Sequence, residues 1–385
     1  MNAAQMHAPQ ETAPQETGGP RVGLEHLLAR PGQAAGWGRT GLLTNPSGVT
    51  RDLTSAAVAL ARAGLTPERL FGPEHGVDGS GAPGEAPELE RDAASGLPTT
   101  VLYHLSAEET ARRLAGLDTL IVDLQDVGVR FYTYVSTVRD VLRAARLRPV
   151  RIVILDRPNP LGFTVEGPLL DPAFESYVGI SAQLPLRHGL TIGEVTRVLA
   201  AAEDVPVHVI PTDAPDAWHP QRPWVPPSPN LPDLDATALY PAGALVEALD
   251  ASEGRGTALP FRLFGAPGLD AQALAARLNA LNLGVTARPA HFTPTTSKHA
   301  GQRCAGVHLH RTGPTGDLLP LGLALLTALE QQGAARNADW LQKLLGVPSG
   351  DLPATPGAAL QAAAAWQAAA RAHARTLRPH HLYAR

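Results

Sequence analysis

From Val22 onward, short apolar runs alternate with stretches of helical spacing. Leu24–Leu28 and the residues after it read as a short helix. Gly41–Leu43 reads as a strand that runs into the turn Asn45-Pro46-Ser47-Gly48. Ser55–Ala63 has helical alanine and leucine content, with Gly64 as its stop. Leu70-Phe71 is a short strand that empties into Gly72-Pro73-Glu74-His75-Gly76. Thr100–Tyr103 is strand-like, Ala107–Leu114 helical, and Thr119–Leu124 a largely apolar run suited to a strand buried on both faces. Thr137–Ala145 is helical and Arg151–Leu155 a second buried strand. This alternation predicts a parallel sheet covered by helices on both sides.

The pattern then breaks. Val205 to Pro241 is dense in proline and reads as an irregular connector. A second alternating section follows, with helices at Ala271–Leu281 and Leu318–Gln331 and a strand at Ala305–Leu309. The alanine-rich stretch Ala358–Arg375 reads as a long closing helix. There is no internal repeat.

Composition narrows the function. A chain of 385 residues suits two domains. The formal net charge is −4, from 32 basic and 36 acidic residues, and the arginines are scattered rather than gathered in a stripe. Nucleic acid is therefore not the expected partner. Cys304, the single cysteine, is expected as a small buried strand residue. Residues 1–20 have the composition of a disordered tail and lack both a basic start and an apolar segment. No apolar run reaches the roughly eighteen residues of a membrane span, so a cytoplasmic protein without a membrane partner is expected.

Each strand of the first section ends in polar residues: Asn45 and Ser47, Glu74 and His75, Asp123 and Asp126, Asp156 and Asn159. In open α/β sheets the ligand crevice lies beyond the carboxyl ends of the strands. Dinucleotide binding is rejected, because Gly72–Gly81 carries Pro73, Glu74 and Asp78 where a pyrophosphate turn needs small residues. Hydrolysis of a sugar bond fits better, since it needs a carboxyl proton donor and a second group that attacks the sugar or positions water.

Glu74 is the first candidate acid, presented by a short turn between glycines; its ordinary reading is a loop acid capping a helix. Asp123, Gln125, Asp126 and Arg130 precede the aromatic stretch containing Tyr132 and Tyr134, and acids beside aromatic faces suit a sugar pocket. An Asp–Arg pair over core aromatics is the alternative. Glu166 sits on a rigid loop before Gly167-Pro168, where it could also be a solvated acid. Glu253 and Arg255 lie among glycines able to form an anion nest, and Arg255 could grip a carboxylate. Arg187 and His188 form a further basic spot. The histidines are dispersed and none has the spacing of a helical zinc pair, so no metal is expected.

Several segments together resemble the bacterial exo-β-N-acetylmuramidases of glycoside hydrolase family 171, long catalogued as a domain of unknown function. They are Gly41–Val49, Phe71–Gly76, Asp123–Tyr134, Asp156–Pro168 (its DRPNPLG and VEGP parts), PSPNLP with Ser228 and Asn230, Ser252–Thr257, and Phe292–His310. The resemblance implies a Rossmann-like parallel-sheet domain over residues 21–235, a smaller C-terminal α/β domain over 236–385, and an active site in the cleft between them. It implies release of terminal, non-reducing N-acetylmuramic acid from peptidoglycan fragments without a cofactor. Glu74 would be the general acid, with Glu166 or Asp126 as its partner. Asn45, Ser47, His75, Asp123, Gln125, Tyr132, Tyr134, Asn159, His188, Asn230 and Glu253 would bind substrate. The lactyl carboxylate of the sugar calls for a cation, and Arg130, Arg187 and Arg255 are the candidates. The family pattern before SEGRGT usually has Gly, Thr and Asn where this chain has Ala248, Leu249 and Asp250. A muropeptide-binding protein without turnover is the rival reading. A phosphate-using transferase would need a phosphate loop, which the sequence lacks. A homo-oligomer is compatible with the sequence.

Overall fold

The computed structural model describes residues 19–180, 184–313, 318–352 and 355–385. Most of the expected tail, residues 1–18, lies outside the described residues. The first half contributes strands β1 (Thr40–Thr44), β2 (Arg69–Gly72), β3 (Thr99–Val101), β4 (Thr119–Asp123) and β5 (Arg151–Leu155). A two-stranded antiparallel ribbon follows, β6 (Glu166–Leu169) with β7 (Pro185–Arg187), and then β8 (Val207–Ile210). Six of these strands form one sheet in the order β3-β2-β1-β4-β5-β8, and every pairing in it is parallel. This is the doubly wound, Rossmann-type order, whose switch point lies between β1 and β4. Register pairs Thr44 with Asp123, so these two strands end side by side.

The sheet is buried on both faces because successive strand side chains point to opposite sides. Leu42, Leu70, Ile121, Val153 and Leu155 face one apolar core with Leu24, Leu27 and Leu60. Leu43, Phe71, Leu120, Val122, Ile152 and Ile154 face the other, which runs without a break into residues of the second half such as Leu245, Phe264 and Leu325. Helices α1 (Gly23–Ala29) and α2 (Ala56–Arg62) supply the first core. The other core draws on α3 (Ala107–Arg113), α4 (Thr133–Leu147), α5 (Ile192–Glu203) and α6 (Leu234–Gly243).

Two expectations change here. The proline-dense stretch after Val205 is no mere connector, since it supplies the edge strand β8 and the helix α6. The strand has only four residues, of which Ile210 alone is buried, and prolines on either side mask its signal. The helix is started by Asp233, whose Oδ1 accepts the Ala236 N–H at 2.7 Å. Helix α4 begins at Thr133 rather than Thr137, so the aromatic stretch enters its first turn instead of lying on a surface.

The second half holds an antiparallel sheet of β9 (Leu263–Ala266), β10 (Val285–Phe292) and β11 (Cys304–Arg311), ordered β10-β11-β9. Helices α7 (Ala271–Asn279), α8 (Leu318–Gln331), α9 (Ala338–Leu345) and α10 (Pro356–Ala374) complete it. Cys304 is buried, as its strand position suggests. The chain end returns to the first sheet, where Tyr383 donates a 2.5 Å hydrogen bond to Asp156 and Arg385 pairs with Glu194. Among the described residues no helix is long and apolar enough to cross a membrane.

Candidate active site

Beyond β2 the chain reverses at once. A Cβ at Gly72 would lie 2.6 Å from the Val77 nitrogen, so only glycine lets the turn close. His75 and Gly76 follow in left-handed backbone, with φ of 71° and 81°. For a histidine this conformation costs on the order of 1–3 kcal/mol and marks an over-determined segment. Backbone bonds from His75 N to Glu85 O (2.8 Å) and from Gly81 N to His75 O (3.1 Å) hold it.

This turn carries Glu74 to the start of α4. Its Oε1 accepts the Gly84 N–H at 2.7 Å and its Oε2 accepts the Thr133 hydroxyl at 2.5 Å. Tyr103, just past the end of β3, stands beside Glu74; burial and the neighbouring Glu74 charge push its phenol above the ordinary tyrosine range. Two partners from two segments, Gly84 and Thr133, therefore fix one carboxylate.

Glu74 faces a cavity with His75, Tyr132, Ser228, Asn230 and Arg255. The His75 ring bonds Gly81 O through Nδ1 (2.8 Å) and Ser228 Oγ through Nε2 (3.1 Å). A carbonyl can only accept, so this network puts the ring hydrogen on Nδ1 and leaves Nε2 to accept from Ser228. Ser228 Oγ in turn accepts the Asn230 N–H at 3.3 Å. The opposite wall is aromatic: Tyr240 meets Phe131 and Phe261 edge to face, with centroids 5.3 and 4.7 Å away. Arg255 lies 4.8 Å over the Phe261 ring and is gripped by Glu253 (2.7 Å) and Glu247 (2.8 Å). Burial opposes its charge, but the two glutamates outweigh burial and raise its pKa.

Other sequence candidates hold this site from outside the cavity. Asn45 Nδ2 donates to Tyr134 Oη (2.7 Å) and to Pro227 O (2.8 Å), while its Oδ1 accepts the Ser47 hydroxyl at 2.6 Å. Asn45, Ser47 and Tyr134 thus fasten the loop that delivers Ser228 and Asn230. Asp123 is spent on a buried pair with Arg157 at 2.6 and 2.9 Å. Gln125 donates to the carbonyls of Asp126 and Pro158, and Asn159 to that of Leu190.

Asp126 accepts the Gly128 N–H at 2.7 Å and lies 3.5 Å from His188 Nε2, fully buried and outside the cavity lining. Burial pushes Asp126 up to about 7. Burial first, and then Arg385, Arg130 and Arg187, lower His188 to about 3.

Glu166 and two of the candidate cations sit elsewhere. Glu166 accepts the Leu319 N–H at 2.8 Å, in the first turn of α8, and pairs with Arg187 at 3.2 Å; neither residue lines the Glu74 cavity. A buried pair that also caps a helix is a fastening between the β6–β7 ribbon and α8. Arg130 is wholly enclosed and donates to the carbonyls of Pro168, Leu184 and Leu345 at 2.7–2.9 Å, with burial lowering it to about 9. Of the three arginines only Arg255 reaches the cavity. Ala248 and Leu249 are buried, and with Asp250 they too stand outside it.

Sequence reasoning missed Tyr103, Thr133, Tyr240 and Phe261, and quoted Ser228 only inside a motif. Tyr103 obeys the same strand-end rule that singled out Glu74. Tyr240 and Phe261 reach the cavity from remote segments, and nothing local marks them. Among the described residues no group of three or more His, Cys, Asp or Glu could hold a metal ion.

The doubly wound sheet thus presents a strand-end carboxylate, Glu74, to an aromatic-walled cavity. Residues 40–235 match the model of the N-terminal part of exo-β-N-acetylmuramidase NamZ, and residues 238–383 match that of its C-terminal part. The chain belongs to the exo-β-N-acetylmuramidase NamZ family. It is 39% identical over 301 residues to the peptidoglycan β-N-acetylmuramidase NamZ of Bacillus subtilis, covering 76% of this chain and 72% of that one. Two solved structures of DUF1343 family proteins from Bacteroides fragilis share the fold, with TM-scores of 0.81 and 0.73. Each is 26% identical and is matched over 95% of this chain and 99% of its own.

Proposed function

We propose that this chain removes terminal, non-reducing β-linked N-acetylmuramic acid from peptidoglycan fragments, with Glu74 as general acid. The observation that carries the reading is that Glu74 is the one carboxylate lining the cavity among the described residues. Oε1 is committed to accepting from a backbone N–H, so the proton for the leaving oxygen sits on Oε2, beside the Thr133 hydroxyl. The family relationship supplies the substrate class.

Two-carboxylate mechanisms need the second group roughly 5 to 9.5 Å from the first, facing the same sugar. Glu166 and Asp126 are engaged elsewhere, which favours the substrate's own 2-acetamido group as nucleophile. Its carbonyl oxygen attacks C1 as Glu74 protonates the departing oxygen. The Glu74 carboxylate then takes a proton from the water that opens the resulting oxazoline ring, and configuration is retained. The aromatic wall of Phe131, Tyr132 and Tyr240 offers apolar contact to the sugar ring, and Arg255, the arginine that lines the cavity, is the cation available to the lactyl carboxylate. Release of p-nitrophenol from the β-muramic acid glycoside tests the assignment: Glu74→Gln should lose it, and activity near wild type would overturn it.

A further inference from the structure

We propose that Ser228, backed by His75, is a proton relay that serves the acetamide during hydrolysis. The proposal rests on the acetamide-assisted reading above. An attacking acetamide becomes a cationic oxazolinium unless its N–H proton is taken by an acceptor close to the sugar. In the cavity that faces Glu74, Ser228 is placed for this. Its hydroxyl donates to His75 Nε2 at 3.1 Å, and it receives the Asn230 N–H at 3.3 Å, leaving an oxygen lone pair for the substrate. His75 is locked in the required tautomer by the 2.8 Å bond from Nδ1 to Gly81 O. A nucleophile or base activated by a second group that a third group orients is the recurring form of such relays.

The surroundings are rigid where a relay needs them to be. His75 follows Glu74 directly and holds a left-handed backbone, so one turn delivers both the acid and the imidazole. Ser228 is carried by the loop that Asn45 and Tyr134 tie down at Pro227. Both residues are at least nine-tenths buried.

The step balances. As C1 parts from the leaving oxygen, which takes the Glu74 proton, the acetamide oxygen bonds to C1. The acetamide N–H proton passes to Ser228 Oγ while the Ser228 proton passes to His75 Nε2. A neutral oxazoline and an imidazolium result. When water adds to C1 and gives its proton to Glu74, the C1–oxazoline bond breaks and the proton returns from His75 through Ser228 to nitrogen. Ser228 is the catalytic residue here, and His75 acts through it.

The test uses the full chain and p-nitrophenyl β-N-acetylmuramide. His75→Gly suits the left-handed backbone, and Ser228→Ala removes the hydroxyl alone. Both should lower kcat by about 10²-fold or more with KM within roughly threefold, the range that general acid–base groups supply. Added imidazole should restore at least about tenfold of the kcat lost in His75→Gly, and none of that lost in Ser228→Ala. Near-wild-type kcat in Ser228→Ala, or no imidazole rescue of a folded His75→Gly, would overturn the relay. If His75→Gly does not fold, the kcat of Ser228→Ala decides alone. A series of N-fluoroacetyl substrates on the wild type separates the two proposals. Rates that ignore fluorination defeat acetamide assistance itself; rates that fall steeply uphold it, whatever the variants show.

Discussion

Thr133, the first residue of α4, donates a 2.5 Å hydrogen bond to the Glu74 carboxylate across the gap between the β2 turn and the helix. That bond joins the acid to a helix whose next residues, Tyr134 and Val135, are fully buried, so the hydroxyl cannot drift without moving the core. Thr133→Val keeps the shape and removes the donor. We expect a fall in kcat of about tenfold, with Tm little changed, because a fixed orientation of the reacting group is lost rather than packing. An unchanged kcat would mean that the Gly84 N–H holds Glu74 without help.

Arg130 gives the opposite expectation. It neutralises no substrate and instead satisfies buried carbonyls of three separate segments. Arg130→Met leaves those oxygens without partners, and a loss of about 3 kcal/mol or more is expected from denaturant unfolding. KM for the folded fraction should stay at the wild-type value. A selective rise in KM would return Arg130 to the list of substrate cations.

Arg255 should show both effects. Its removal leaves Glu253, which is 1% exposed, and the partly buried Glu247 without their shared guanidinium. Arg255→Gln should destabilise the protein by about 2–4 kcal/mol. It should also raise KM for substrates that carry the lactyl carboxylate. Titrating such substrates against lactyl-free analogues separates packing from recognition.

Buried titrations set a pH optimum for stability. The folded pKa of Asp126 is raised to about 7, so between the unfolded carboxyl value of roughly 4 and pH 7 the folded state holds the extra proton. Stability from this group is therefore lost as pH rises through that window. His188 is lowered to about 3, so its contribution is present above the unfolded histidine value of roughly 6.5 and is lost as pH falls below it. Asp126→Asn should flatten the loss between about pH 4 and 7, measured as unfolding free energy at pH 5, 6, 7 and 8. A parallel offset at every pH would contradict the assignment.

The parallel sheet was legible because its strands are apolar on both faces and separated by helical spacing. Only β8 was hidden, since it is four residues long and flanked by prolines. The strand-end rule found Glu74 and His75, yet it treats every polar strand end alike. Asp123 and Asp156 look the same in the sequence and serve as fastenings. What separates them from Glu74 is where they end up: Asp123 is buried against Arg157 and Asp156 against Tyr383, 227 residues on, whereas Glu74 faces the cavity. Glu166 is the clearest case. Its segment reads as an exposed loop but forms strand β6, and the Leu319 N–H, 153 residues later, is bonded to its carboxylate. No local pattern carries that information.

The role of Glu74 is tested most directly by Glu74→Gln, measured as p-nitrophenol release from the β-N-acetylmuramic acid glycoside alongside thermal unfolding. We expect kcat to fall by about 10²–10⁴-fold while Tm stays within a few degrees of wild type. A folded Glu74→Gln protein with near-wild-type kcat would contradict it.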